Sequence, residues 1–253
     1  MYKKALIAVL MFASVMVLNQ AQAHEPLYGF GPHVLFKGGF APHFTFHYGH
    51  DIETEYALGY GLTKNWTIKG EVPFHIEDGK YNWGGFLFKQ KYRFYSHFEP
   101  GLSRQISAIS TVNFPSEPGN PTVVNIGATG GQEALHWYWF FGASYGLKFS
   151  DQEVRPGNHL QYNATIGYRP IKTSYDKPDI VFFLEGVGKF QQKSVQNGDI
   201  ISQTGGHAWS VAPTFMLTYK NVALRGGVEF GLANAQYIEK PETNYKFILE
   251  WHL

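Results

Sequence analysis

Charged side chains recur at every second position in several stretches of this sequence, opposite apolar residues. In extended backbone, residues two apart share a face, so each stretch has one charged and one apolar side. The charged side comprises Lys69, Glu71, Lys89, Lys91, Arg93, Glu185, Lys189, Arg225, Glu229, Lys246 and Glu250. Facing one interior, charges of both signs would line a water-filled path for a small solute, or neutralise one another in salt bridges that fill a narrow space. The sequence leaves both interpretations open.

Histidines concentrate near the start of the chain, at His24, His33, His43, His47 and His50. Neutral imidazole is a good ligand for copper, nickel or zinc. Cleavage before His24 would let its amino group and ring chelate one ion together. The spacing matches no strong metal motif, however, and ordinary luminal or interfacial histidines are the alternative. We expect no obligatory cofactor, and metal binding is a secondary hypothesis.

One pair of residues raises the question of catalysis. A serine hydrolase needs a serine, a histidine and an orienting polar group, and His207 lies close to Ser210 in the sequence. Ser210 does not lie in a Gly-x-Ser-x-Gly motif that would support this pair. We therefore predict that the protein is not an enzyme.

The elements that would position these side chains are β-strands. Stretches with apolar residues at alternate positions recur about 12 times after residue 40, separated by turn-forming residues. The clearest is 136–149, with seven consecutive alternations, and the last is 245–253. The weakest is 123–131, which is rich in glycine.

The pattern of these strands favours a transmembrane barrel. No apolar stretch after the first 23 residues reaches the roughly 18 residues of a helical span, so a membrane form requires a closed sheet. A soluble β-sandwich is the alternative, but it would not need an apolar face on nearly every strand opposite charged residues. We predict an all-β fold, a transmembrane antiparallel up-and-down β-barrel of about 12 strands over residues 40–253.

The first 39 residues form two further segments. Residues 1–23 have the pattern of a cleaved signal peptide, with Lys3 and Lys4 before an apolar run and Ala21-Gln22-Ala23 as the cleavage site. The apolar run of about 14 residues is too short to span a bilayer. Residues 24–39 are rich in glycine and proline without a period of two, which predicts an irregular segment that could plug the barrel.

Composition agrees with an exported membrane protein. Aromatic residues make up 17% of the chain and charged residues only 16%, and there is no cysteine. Loss of Lys3 and Lys4 with the signal changes the formal net charge from +1 to −1, which gives no support for nucleic-acid binding. We expect a monomer in the outer membrane of a Gram-negative bacterium, whose partners are membrane lipid, the barrel assembly machinery and a small-molecule solute.

The connections predict which way the barrel faces. An even strand number places both termini in the periplasm, which makes Lys64-Asn65 and Lys220-Asn221 short periplasmic turns. The longer loops at 77–82, 115–121, 150–158, 196–206 and 233–243 then face outward. Connections at 99–104 and 173–179 are longer than this pattern prefers.

Three short runs resemble a known protein family. They are Gly31-Pro32, Tyr60-Gly61-Leu62-Thr63-Lys64-Asn65-Trp66 and Glu71-Val72-Pro73-Phe74. Together they are similar to the outer-membrane proteins assigned to the meta-pathway of phenol degradation, with Lys69 and Phe74 as small departures. The resemblance is specific over residues 53–76. It implies a porin-like or transporter-like barrel and carries over no catalytic residue.

These observations lead to three functional expectations. The first is a porin-like or transporter-like barrel that passes or binds a small solute, such as an aromatic or apolar one. The second is a metal-linked outer-membrane protein, since the histidine-rich start also looks like family members found with heavy-metal efflux systems. The third is a structural barrel without a conducting path.

Overall fold

The computed structural model describes residues 25–77, 80–150, 152–236 and 242–253, and the regular elements in these residues are all β-strands. Within these ranges no helix has the length and apolar character needed to cross a membrane. The predicted signal peptide and His24 lie outside the described residues.

Sixteen strands are present in the described residues. In chain order they are β1 (Phe40–Tyr48), β2 (Ile52–Thr63), β3 (Trp66–Glu77), β4 (Lys80–Trp83), β5 (Phe86–Glu99), β6 (Leu102–Phe114), β7 (Thr122–Glu133), β8 (Trp137–Phe149), β9 (Val154–Arg155), β10 (His159–Tyr168), β11 (Asp179–Gln191), β12 (Val195–Gln196), β13 (Asp199–Ile200), β14 (Gly206–Tyr219), β15 (Val222–Gln236) and β16 (Asn244–Trp251). The twelve longer strands form the barrel wall, whereas β4, β9, β12 and β13 are short additions to its loops.

The barrel closes where its last strand pairs with its first. Each long strand is antiparallel to the next, and β16 pairs with β1 from His43 opposite Glu250 to Tyr48 opposite Tyr245. Reciprocal hydrogen bonds between the backbones of Phe40 and Leu253, of 2.9 and 2.8 Å, extend this seam. Closure pairs the backbone groups that a sheet edge would leave exposed to lipid. The prediction of a closed 12-stranded antiparallel barrel is confirmed.

Most short connections lie at one end of the barrel and most long ones at the other; the exceptions are 169–178, which is long but at the turn end, and 49–51, which is short but at the loop end. The turn end holds both strand termini of the seam and the two-residue turns at 64–65, 100–101 and 220–221. The prediction of a long connection at 99–104 is wrong, because β5 and β6 run on to Glu99 and Leu102; Gly101 adopts the positive φ of +79° that this tight turn requires. The loop end carries β4 and the three-stranded sheet of β9, β12 and β13, which sequence analysis missed.

The outer face of the wall is apolar. In β8, Trp139 and Phe141 are 50% and 61% exposed, whereas Tyr138 and Phe140, which alternate with them, are each 2% exposed. The same alternation places large aromatic and aliphatic side chains outward on the other long strands, where lipid rather than water would surround them. This exterior explains why so many large apolar residues are exposed in a folded chain.

Part of the interior is packed with apolar side chains. Tyr138, Phe140, Val181, Phe183 and Met216, here called the inner apolar cluster, point inward from β8, β11 and β14 near the turn end. Below this cluster Arg169 and Asp179 form a buried ion pair. The barrel is therefore partly filled on this side.

Closure can be tested directly because the chain has no cysteine of its own. Thr45 in β1 lies opposite Ile248 in β16, and both side chains point inward. Residues opposite each other in an antiparallel pair have Cα atoms about 4.5–5.5 Å apart, which suits a disulfide. We expect the double variant Thr45→Cys, Ile248→Cys to cross-link on oxidation of the folded protein, detected by non-reducing electrophoresis.

The matched control is Thr45→Cys with Phe247→Cys. Phe247 is one residue away but points outward, so its thiol would lie on the other side of the sheet. Equal cross-linking of the two pairs would contradict the register of the seam.

Candidate functional site

Residues 25–39, here called the N-terminal segment, run along the inner wall of the barrel. Successive residues of the segment meet β15, β11, β10, β6, β3 and β2 before the chain enters β1. The contacts are those of Pro26 with Arg225, Leu27 with Glu185, Phe30 with Asn163, Pro32 with Ser107, Leu35 with Thr67 and Gly38 with Gly61. In the strand order of the sheet, these contacts take the segment most of the way around the interior.

A single buried carboxylate holds the middle of the N-terminal segment. Glu185 is 0% exposed, and its oxygens accept hydrogen bonds from the backbone N–H groups of Leu27, Tyr28 and Gly29 at 2.7, 2.9 and 2.9 Å. The Thr214 hydroxyl donates a fourth bond at 2.7 Å. Burying a charge is costly unless it is compensated, and here four donors compensate it without a lysine or arginine within 4.0 Å among the described residues.

A second carboxylate holds the start of the segment. Glu25 lies 2.5 Å from the Lys91 ammonium of β5, and its carboxylate accepts a 3.1 Å hydrogen bond from the backbone N–H of His33. Burial alone would raise the pKa of Glu25, but the charges of Lys91, His33 and Arg225 outweigh burial and hold that pKa below its ordinary value. Glu25 is therefore ionised at neutral pH and ties the segment to the far wall.

Two glycines allow the segment to lie close to the wall. At Gly61 of β2, an added Cβ would fall 1.9 Å from the carbonyl oxygen of Phe36. At Gly142 of β8, it would fall 3.0 Å from the side chain of Phe30. Gly61 belongs to the run Tyr60 to Trp66 that sequence analysis singled out. Its role there is explained by the close passage of the segment.

The remaining charges predicted to face the lumen project from the inner face and form local networks. Buried Glu71 lies between Lys69 at 2.7 Å and Lys89 at 2.5 Å. On the opposite side of the seam, Arg225 and Glu250 form an ion pair of 2.8 Å. Much of the predicted charge set is therefore neutralised in pairs.

The last four members of the predicted set have other environments. Arg93 donates hydrogen bonds to Gln105 and to the carbonyl of Lys64 at the turn end. Glu229 accepts a short hydrogen bond from the hydroxyl of Ser210. Lys246 lies 5.7 Å from the ring centre of Tyr28, and neither it nor Lys189 has a carboxylate within 4.0 Å in the described part of the chain. Their role in lining a solute path stays a prediction.

The predicted metal-binding histidines do not converge. His33 lies 3.2 Å from Glu133, His43 lies 3.4 Å from Glu250, His47 faces inward from β1 and His50 is exposed in a turn. His24 lies outside the described residues. Across residues 25–77, 80–150, 152–236 and 242–253, no group of three or more histidine or acidic side chains is arranged to hold a metal ion. Metal binding stays a prediction.

The pair His207 and Ser210 does not form a catalytic dyad. Residues three apart in a strand point to opposite faces. His207 packs outward against Phe190 and Trp209, with ring centres 4.5 and 5.3 Å away, whereas Ser210 points inward to Glu229.

Sequence analysis missed the neutral side chains that bind the segment. Asn163 accepts a hydrogen bond from the backbone N–H of Phe30, Thr129 donates one to the carbonyl of Phe30, and Ser107 donates one to the carbonyl of Pro32. Single polar residues at inward positions occur in any barrel with a wet interior. Their pattern alone gave no signal for a bound segment.

Comparison with known proteins supports the fold. The sequence matches no protein-family model and no curated protein. The structure is similar to an outer-membrane channel from Pseudomonas putida F1, with a TM-score of 0.68, 11% identity, and coverage of 91% of this chain and 100% of the other. It is also similar to the NanC porin, with a TM-score of 0.54, 12% identity, and coverage of 85% and 100%.

At such low identity, these similarities establish the fold alone, which is that of outer-membrane β-barrels. The coarser part of the sequence-based resemblance, an outer-membrane barrel, is therefore confirmed. Membership of the meta-pathway phenol-degradation family is not confirmed and stays a prediction.

The role of Glu185 can be tested by replacing its charge. In Glu185→Gln, one acceptor oxygen becomes an amide NH2 group, which cannot accept hydrogen bonds from the segment's N–H groups. Hydrogen bonds to a charged group contribute about 1.5–3 kcal/mol each, so loss of one is expected to raise the exposure of the segment at least about tenfold. We expect a cysteine at position 27, introduced as Leu27→Cys, to react at least about ten times faster with a water-soluble maleimide.

The control is Glu53→Gln in the same Leu27→Cys background. Glu53 is a carboxylate on β2 that lies 3.4 Å from His75, outside the contacts of the segment. If both glutamine variants label at the wild-type rate, Glu185 does not hold the segment.

Proposed function

We propose that this protein is a porin-like or transporter-like channel of the outer membrane, in which the N-terminal segment acts as a plug. A closed barrel with an apolar exterior encloses a lumen with polar and charged walls. The main support for the proposal is that the N-terminal segment occupies the lumen. A separate stretch of main chain fills it through hydrogen bonds and ion pairs that can exchange with water.

This arrangement favours a channel over a purely structural barrel. A structural barrel can fill its interior with side chains from its own strands, as the inner apolar cluster does here. The N-terminal segment instead depends on a few polar anchors, chiefly Glu185 and Lys91. Such a plug can move aside while the backbone pairing of the wall stays intact.

The lining of the lumen indicates the kind of solute. Phe30 and Phe36 of the plug are half-buried and supply apolar surface to the interior. Lysines and amide side chains line the wall nearer the loop end. A small solute with an aromatic or aliphatic body and a polar group fits both surfaces. The similar structures are described as a channel and a porin, which agrees with solute passage.

The plug can be tested by deleting residues 25–36 from the chain. We expect the deletion variant to show a larger single-channel conductance in planar bilayers than the full mature protein, because the main-chain constriction is gone. Glu185→Gln is expected to give more frequent openings, and Glu53→Gln is the control with unchanged behaviour.

Each result bears on a different part of the proposal. Equal conductance with and without residues 25–36 would contradict the plug. Absence of conductance from both proteins, with folding verified by heat-modifiable electrophoretic mobility, would favour the structural barrel.

A further inference from the structure

Three lysines on the inner face have no carboxylate within 4.0 Å in the described ranges. They are Lys148, Lys189 and Lys246. Other inward cations, such as Lys69 and Lys91, are paired with glutamates. Cations left without partners on an enclosed wall are candidates for contact with a solute.

Two of these lysines lie together with a histidine. Lys148, His159 and Lys189 come from β8, β10 and β11, which are neighbours in the wall. The register places His159 opposite Gly146 and Lys189 opposite Gln161, so all three inward side chains lie near the loop end. Lys189 interacts electrostatically with both Lys148 and His159. The group is here called the basic cluster.

The ring of His159 is packed closely against the wall and keeps unused hydrogen-bonding capacity. Its ring lies over Gly146, where an added Cβ would be 2.1 Å from Cε1, and the amide oxygen of Asn125 lies beside the same position. The buried Nδ1 atom of His159 has no hydrogen-bond partner within the described residues. Amide groups of Asn125 and Gln161 next to the cations provide further hydrogen-bonding capacity.

Charge on the facing wall is of the opposite sign. Glu53 and Glu55 point inward from β2, which lies six strands from β10 in the twelve-stranded ring and therefore across the lumen. Glu53 is 3.4 Å from His75, and Lys246 interacts with Glu55. Glu185 shares β11 with Lys189 but is bound by the N-terminal segment, and Glu229 on β15 is bound to Ser210. Among the described residues, no carboxylate therefore neutralises the lysines of the basic cluster within 4.0 Å.

We propose that Lys148, His159 and Lys189 bind the carboxylate of a small organic acid whose aromatic or aliphatic body points toward the half-buried side chains of Val187 and Phe30. Two ammonium groups held on β8 and β11, on either side of β10, repel each other, and a bound anion relieves that repulsion. Val187, which shares the inner face of β11 with Lys189, and Phe30 supply the apolar surface that distinguishes an organic acid from an inorganic anion. This proposal rests on the proposed function and names the class of solute.

The experiment measures equilibrium binding to the folded mature protein in detergent at low ionic strength, where exposed charges are least screened. Histidine-ring NMR follows His159, whose signal is assigned from the variant His159→Gln. The probes are benzoate, benzyl alcohol and inorganic phosphate. We expect saturable benzoate binding, with at least about tenfold weaker binding of the other two probes. Comparable binding of phosphate or benzyl alcohol would overturn the assignment to an organic carboxylate.

Variants test the location of the site. The affinity of each variant for benzoate is measured by calorimetry. The double variant Lys148→Gln, Lys189→Gln is expected to weaken benzoate binding at least about tenfold. The matched control Lys246→Gln removes the third lysine without a carboxylate partner, on a different wall, and is expected to change binding less than about twofold. Equal binding by wild type and the double variant, with folding verified by heat-modifiable mobility, would overturn the proposal.

Binding and conduction are measured separately, so the two proposals fail in different ways. If benzoate binds but neither the full protein nor the deletion of residues 25–36 conducts, the site stands and the channel does not. If the deletion variant conducts but benzoate does not bind, the channel stands and the basic cluster does not select a carboxylate.

Discussion

The structure depends on one constraint, which is that the hydrocarbon region of a membrane offers no water to bind backbone N–H and C=O groups. A sheet can meet this constraint only by closing on itself, and here the seam between β1 and β16 closes it. Closure then divides every strand into a lipid side and an enclosed side. The aromatic exterior of β8 and the charged interior of β3 and β5 are two results of the same division.

The enclosed side has its own requirement, because polar groups there must find partners within a limited space. The wall satisfies part of this requirement with ion pairs such as that of Arg225 and Glu250. Glu185 satisfies it with main-chain donors from the N-terminal segment, which makes the segment part of the electrostatics of the lumen. The lysines of the basic cluster have no carboxylate within 4.0 Å among the described residues, and this contrast connects the packing of the interior with its proposed chemistry.

The sequence predicted the features that repeat along the chain. Alternation in 136–149 and 245–253 defined strands and faces, because a period of two is unambiguous over many residues. It overestimated the connection at 99–104, which is a tight turn at Pro100 and Gly101, since the alternation of β5 weakens at its register shift. Nor did it predict the path of the N-terminal segment, whose contacts with Asn163 and Ser107 join residues more than 70 positions apart. Such pairings depend on the closed fold and leave no local signal.

The attachment of the N-terminal segment separates two stabilities within one chain. Its backbone joins the wall's hydrogen bonding only at Gly38 and Gly39 opposite Gly61, and elsewhere side chains of the wall hold it. Local opening of residues 25–35 therefore breaks none of the strand-to-strand ladder and exposes no sheet edge. A stable barrel wall and a more easily opened N-terminal segment thus coexist in one chain. Substitutions in the segment can change how often it opens while the hydrogen bonding between strands stays intact.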